Sequence, residues 1–294
     1  MGFGVDFNEI QGLALPKRAL EIAAAGGHNV LLVGRPGSGK TMLARRMSGI
    51  LPDWNEDTRR EAVMIWWGAG AVAESRSYNG MEPPTEPPFR APHHTVSEAG
   101  LFGTRVGTSQ RAMPGEVSLA HGGVLFLDEL PEFHRGLLER LSYTLNTGDV
   151  YIAGTAGNCF LQAKFQLIAA MAPCPCGQSG TGNCRCTEGL VERYVARCAP
   201  IAQQCAIVVR LPVEPIGSGR ASESSADIKA RVVAARARRQ PVAVTAVATM
   251  CERQRVPLAR YGHVAEVTAT IAALDGTPSV LDRHILEACD WCRL

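Results

Sequence analysis

One eight-residue run near the N-terminus constrains the fold more than any other part of the chain: Gly34-Arg35-Pro36-Gly37-Ser38-Gly39-Lys40-Thr41. It fits G-x-x-x-x-G-K-[ST], a spacing in which glycines let the backbone turn so that successive N–H groups face inward and cradle phosphates. Such a loop needs a strand before it and a helix after it, and both are expected here. Residues 29–33 form a short continuous apolar run, the mark of a parallel strand covered on both faces, and the run stops at Gly34. Met42, Leu43 and Met47 then recur at helical spacing, so a helix starts near Lys40. The expected ligand is ATP with Mg2+. Lys40 is placed to meet the β- and γ-phosphates and Thr41 to ligate magnesium, while Gly34, Pro36, Gly37, Ser38, Gly39 and Met42 complete the cradle. The plain alternative, a glycine-rich strand-to-helix turn, gives no reason for Lys40 and Thr41 to stand together.

The same strand pattern returns at residues 124–127, 165–171 and 206–211, with helical patterns at 16–26 and 137–145. This alternation predicts an α/β fold, an αβα layered parallel sheet, rather than a sandwich. Residues 53–115 are rich in proline, glycine and isolated charges, with a proline-dense stretch at 81–88, and are expected to be an insertion or connector. A Gly/Ser-rich linker at 217–225 leads to three helical segments at 226–239, 243–254 and 264–274. The expected organisation is therefore a nucleotide-binding domain over 1–214 and a small helical lid over 215–294.

Asp128 and Glu129 end the second apolar run. A carboxylate in that place holds magnesium in P-loop ATPases, which is the expected role of Asp128; Glu129, next in line, is placed to polarise the attacking water. An acidic pair after a strand is common in loops, and it gains meaning only downstream of an intact phosphate loop.

Four of the ten cysteines crowd into thirteen positions as Cys174-Pro175-Cys176 and Cys184-Arg185-Cys186, unlike the even spread of a secreted disulfide framework. Four thiolates suit a structural Zn2+, and four reduced cysteines in a loop fit the pattern equally well. His93, His94 and His121 read as hydrogen-bonding side chains rather than metal ligands. The basic run Lys229, Arg231, Arg236, Arg238 and Arg239 reads as the solvated face of a helix, with DNA phosphates as the alternative. Net charge of +2 is too small to demand a nucleic-acid partner. No run of about 18 apolar residues suggests a membrane span, and nothing at the N-terminus directs export, so the expectation is a soluble, cytoplasmic protein.

Four segments together resemble a known family: residues 19–28 (ALEIAAAGGH), 89–95 (FRAPHHT), 114–121 (PGEVSLAH) and 123–133 (GVLFLDELPEF). They are similar to the magnesium-chelatase-like AAA+ ATPases of the YifB/ComM type, and the resemblance covers most of the chain. It implies a P-loop AAA+ fold, ATP hydrolysis, a homo-oligomeric ring (a hexamer), and DNA processing of the branch-migration kind seen in transformation. Departures are expected to matter too. The family usually carries a Lon-like domain ahead of the ATPase, so this chain is expected to be a fragment or a reduced version. Where the family places a γ-phosphate-sensing Asn, this chain has Ala172, and where a neighbour-directed Arg is expected it has Gln204. Both point to an alternative in which nucleotide is bound but hydrolysed poorly. The sensor arginine of the helical region is matched only roughly, by Leu258-Ala259-Arg260.

Overall fold

The computed structural model describes residues 6–72, 86–105, 112–153, 158–212 and 223–293. In chain order, α1 (Ala14–Gly26) leads into β1 (Val30–Val33) and α2 (Lys40–Arg46). Then come α3 (Glu56–Val72), β2 (Phe89–Arg90), α4 (Glu98–Phe102), β3 (Gly103–Arg105), β4 (Ala112–Pro114) and α5 (Glu116–Leu119). The middle of the chain supplies β5 (Val124–Leu127), α6 (Arg135–Thr147), β6 (Asp149–Ile152), β7 (Cys159–Gln162) and β8 (Gln166–Met171). It is followed by α7 (Glu188–Arg197), α8 (Ala199–Ala202) and β9 (Ile207–Arg210), and the chain closes on α9 (Ser225–Arg238), α10 (Val244–Arg253), α11 (Tyr261–Leu274) and α12 (Asp282–Trp291).

Five strands form one parallel sheet in the order β2-β5-β8-β1-β9. The apolar runs in the sequence are four of its five strands, β1, β5, β8 and β9. All four residues of β5 and all six of β8 are buried, and each Leu, Ile or Phe so covered contributes about 1.5–3 kcal/mol relative to an exposed one. With alternation absent, these strands have no solvent face, as a sheet covered on both sides requires. The order puts β1 between β8 and β9, the last two strands in sequence. The chain therefore leaves β1 at a place where connections part to either side, which is where open α/β sheets bind ligands.

The chain divides into two compact units. One comprises Met1–Pro52, Ala170–Val195 and Ala202–Leu294; the other comprises Asp53–Ala169 and Ala196–Ile201. The first holds β1, α2, β9 and the four C-terminal helices, and the second holds α3 to α6 with β2 to β7.

The expected strands and helices appear with ends shifted by a few residues, but the reading of 53–115 needs correction. The segment opens with α3, a helix of 17 residues that buries Ala62, Trp66 and Ala69. It also contributes β2, paired in parallel with β5 in the main sheet, and the small antiparallel pair β3–β4. Its proline-dense stretch at 81–85 and the linker residues at 217–222 lie outside the described residues. The sequence patterns also missed α7, α12 and the antiparallel hairpin β6–β7.

Candidate nucleotide site and thiol cluster

The phosphate-type loop grows out of β1 in the first unit. Leu211 N–H donates to Val33 O (2.8 Å) and Gly34 N–H to Met171 O (3.1 Å), so the loop starts from backbone that is still paired. Gly34 is required by space: a Cβ there would lie 2.5 Å from Ser38 Oγ and 2.9 Å from Leu211 Cβ. Gly37 and Gly39 are required by conformation, with φ of 79° and 88°, where a Cβ strains the backbone. Gly39 stands at the N-cap of α2 in the left-handed region and has no side chain to cap the helix.

Lys40 stands over the loop it follows. Its Nζ donates to Gly34 O (2.7 Å) and Arg35 O (2.8 Å), and Ser38 N–H donates to the same Arg35 O (3.1 Å). Ser38 Oγ is buried and has no hydrogen-bond partner among the described residues. A buried hydroxyl left in that condition costs about 1–3 kcal/mol. An orphan hydroxyl, two left-handed glycines and an ammonium within one short loop fit a polyphosphate. Thr41 is exposed at the start of α2, and Met42 is half-buried behind it.

In the second unit, β5 delivers Asp128 and Glu129. Asp128 is half-buried and its Oδ1 accepts from Glu129 N–H (3.0 Å). Glu129 has φ 53° and ψ 47°, a left-handed conformation that few non-glycine residues adopt. Backbone of that kind persists only where its surroundings enforce it, and it gathers at functional sites. The Glu129 carboxylate is exposed and lies 3.3 Å from His94 Nδ1, and the His94 ring sits 4.1 Å from that of His93 and meets Phe133 edge-on. This acid–imidazole pairing was invisible in the sequence, where the two residues stand 35 positions apart.

His121 is a structural side chain. It is buried, its Nδ1 accepts from Lys164 N–H (3.2 Å), and its Nε2 therefore donates to Glu61 (3.0 Å) on α3. Arg90 is held in a two-pronged ion pair with Glu116 (2.6 and 2.7 Å) and lies over the Trp66 ring.

The four clustered cysteines come together in the first unit. Their sulfurs all lie within 4.8 Å of one another, and three of the separations are 3.4, 3.7 and 3.7 Å. Hydrogen bonds from nearby groups, the Gln178 N–H first, hold the Cys176 thiol down to about 6. Burial does the opposite to Cys198, Cys205, Cys289 and Cys292, which are pushed up to about 12. Among the described residues, this cluster is where thiols lie close enough together for one soft metal ion, and its shifts are mixed: Cys176 is lowered, while a side-chain hydrogen bond with Cys176 helps push Cys186 up to about 12.

A search against known families matches residues 6–217 to magnesium chelatase, subunit ChlI. The chain belongs to this family. Among its relatives, the uncharacterized protein YifB of Escherichia coli is 40% identical over 238 residues, covering 79% of this chain and 45% of YifB. The same-named protein of Salmonella typhimurium is 41% identical over 238 residues, with the same coverage. The competence protein ComM of Haemophilus influenzae is 35% identical over 315 residues, covering 98% of this chain and 60% of ComM. The chain thus spans about half the length of the curated relatives it matches.

Within this family frame, two sequence readings change. Arg260, the approximate sensor, is 4% exposed and donates to Cys205 O (2.7 Å), Ala206 O (3.0 Å), Cys292 O (3.0 Å) and Gln203 O (3.4 Å). Its guanidinium is committed to backbone, so it fastens α12 and the turn after α10 to the start of β9. The basic run of α9 is likewise committed. Arg236 donates to Ala24 O and Arg239 to Gly26 O, the open carbonyls at the end of α1, while Arg238 reaches Ala273 O near the end of α11. Arg231 pairs with Glu21 and Glu223. Gln204 accepts at its carbonyl from Asn29 Nδ2 (3.2 Å). Among the described residues, no helix is long and apolar enough to cross a membrane.

Proposed function

We propose that the chain binds ATP with Mg2+ at residues 34–41 and hydrolyses it, as the ATPase core of a ring-forming protein that acts on DNA. The observation that carries this reading is the loop itself, with Lys40 and the orphan Ser38 hydroxyl set in a backbone that Gly34, Gly37 and Gly39 alone permit. Gly34, Pro36, Gly37, Ser38 and Gly39 offer backbone donors or shape to the phosphates, Lys40 supplies charge, and Met42 backs the start of α2. Thr41 and Asp128 are the residues that would hold Mg2+, which would neutralise phosphate charge. Glu129 orients the attacking water and takes its proton; His94 holds the carboxylate in place between turnovers. The helical segment 215–294 acts as the lid. A structural Zn2+ on Cys174, Cys176, Cys184 and Cys186 completes the set of cofactors.

Support for DNA work comes from the likeness to the competence protein ComM along almost the whole chain. A homo-oligomeric hexameric ring, DNA as partner and a cytoplasmic location belong to this same proposal. Ala172 and Gln204 favour a second reading in which nucleotide is held and turned over slowly or not at all, since the loss of a finger arginine costs about 10³–10⁵ in related phosphoryl transfer.

Steady-state hydrolysis with and without branched DNA decides between the two. Under the first reading Glu129→Gln lowers turnover about 10²–10⁴-fold, the usual worth of a general base, and leaves ATP affinity within about twofold. If the wild-type chain binds ATP but shows no turnover above that variant, the second reading holds.

A further inference from the structure

The thiol cluster and the phosphate loop are neighbours within one compact unit, and the residues that join them are neither cysteines nor loop glycines. Between the two cysteine pairs the chain reverses through Gly177, Gly180 and Gly182, all at positive φ of 70°, 82° and 75°. Turn hydrogen bonds fix the reversal: Gly177 N–H donates to Cys174 O (2.9 Å), and Thr181 Oγ1 donates to Gln178 O (2.7 Å). Gly177 then packs on Pro36 so closely that a Cβ would lie 2.8 Å from Pro36 Cδ. The adjacent Gln178 Oε1 accepts from Arg35 Nη2 at 2.6 Å. Arg35 and Pro36 are two of the four x positions of the loop motif, and Arg35 O is the acceptor shared by Lys40 Nζ and Ser38 N–H.

The sulfur positions suit one ion. A tetrahedral site with metal–sulfur bonds of about 2.3 Å has sulfur–sulfur edges of about 3.8 Å, close to the 3.4–3.7 Å among Cys174, Cys176 and Cys184, with Cys186 within 4.8 Å of all three. A disulfide would bring two sulfurs to about 2.0 Å, and all four cysteines are free. Four soft ligands in that arrangement select zinc over magnesium or calcium.

We infer that zinc on Cys174, Cys176, Cys184 and Cys186 is a working part of the nucleotide site: it holds Gly177 and Gln178 against Pro36 and Arg35, and so sets the shape of the phosphate loop. This rests on the reading of residues 34–41 as the nucleotide site. Without the metal, the reversed loop loses its anchor on Cys176, the residue next to Gly177. Arg35 then loses the acceptor that fixes it, and the carbonyl on which Lys40 and Ser38 converge is free to shift. The metal need not touch nucleotide for its removal to be felt there.

The test uses the full chain. Zinc content is measured by elemental analysis, and cobalt substitution reports thiolate ligation through its sulfur-to-metal absorption band. ATP affinity is then titrated in the zinc-loaded protein, after chelation, and after zinc is returned. The expected results are one zinc per chain, an affinity about tenfold weaker after chelation, and recovery on re-addition. Gln178→Ala is the variant that keeps every thiolate. It should retain zinc and weaken ATP binding about fivefold, the worth of one hydrogen bond; if chelation unfolds the chain, this variant alone decides. Zinc present with ATP affinity unmoved by chelation and by Gln178→Ala overturns the brace and leaves a purely structural metal. Absence of zinc and of the cobalt–thiolate band overturns the metal site. Failure of the zinc-loaded chain to bind ATP at all overturns the nucleotide reading, and the brace with it.

Discussion

Lys40 and Arg260 are both cations laid on backbone carbonyls within the same compact unit, and they do opposite things. Lys40 lies on two carbonyls of the loop it follows, half in solvent. Arg260 lies on four carbonyls drawn from two remote segments, almost entirely buried. Carbonyls that are local and within reach of water can give up a cation to phosphate oxygens at little cost, because water satisfies them afterwards. Carbonyls that are remote and dry cannot, since each would be left unsatisfied. What separates a binding residue from a fastener here is who holds the cation, and a cation's charge and its place in a motif do not reveal that.

The comparison can be broken most directly at Lys40. Lys40→Ala should weaken ATP binding about 10²–10³-fold, the loss of two charge-assisted hydrogen bonds. Its urea midpoint should stay at the wild-type value, and a marked fall would make Lys40 a fastener as well. Arg260→Ala should do the reverse. We expect a loss of about 3 kcal/mol of stability in urea melts, with ATP affinity of the folded fraction unchanged. A weakened ATP affinity without loss of stability would restore Arg260 as a sensor.

A buried histidine sharpens the contrast further. His28 follows α1, and burial holds its imidazole down to about 3. Thr270 Oγ1 gives its proton to Glu266 O (3.0 Å), so it accepts from His28 Nε2 (2.8 Å), which fixes the neutral tautomer. Between pH 3 and the ordinary value of 6.5 the unfolded chain holds a proton that the folded chain refuses. Stability from this group is therefore complete above about 6.5 and is lost as pH falls, by about 2 kcal/mol at pH 5. The pH 7 to pH 5 difference in urea stability should shrink by about that amount in His28→Asn. An unchanged difference would place the acid sensitivity elsewhere.

Much of the sheet was legible because its strands are short continuous apolar runs whose cause is local: both faces are covered, so no polar residue interrupts them. The phosphate loop was legible for the same reason, since its glycines answer to backbone demands within eight residues. The helix α3 was missed because Gly68, Gly70 and the charges of its first turns mask a buried edge that, among the described residues, consists of Ala62, Trp66 and Ala69. The hairpin β6–β7 exposes Tyr151 and Phe160 on its surface and carries no two-residue turn signal, so its pattern does not read as strand. The partners that the sequence left silent are found across long separations. Gln178 meets Arg35 from 143 positions away, and Arg260 finds its carbonyls more than 30 and 50 positions away. Spacing rules reach a few turns of chain, and these pairings are set by how strands are ordered in the sheet.

The resting place of Lys40 also makes the loop selective. Its two carbonyls act as an internal competitor, so an incoming anion must offer more than charge to draw the ammonium away. A lone chloride offers one acceptor atom, where the Lys40 ammonium and the Ser38 hydroxyl call for several. A chain of phosphates meets all of them at once. Under the proposed reading, discrimination between polyphosphates and simple halide salts thus begins at the loop itself.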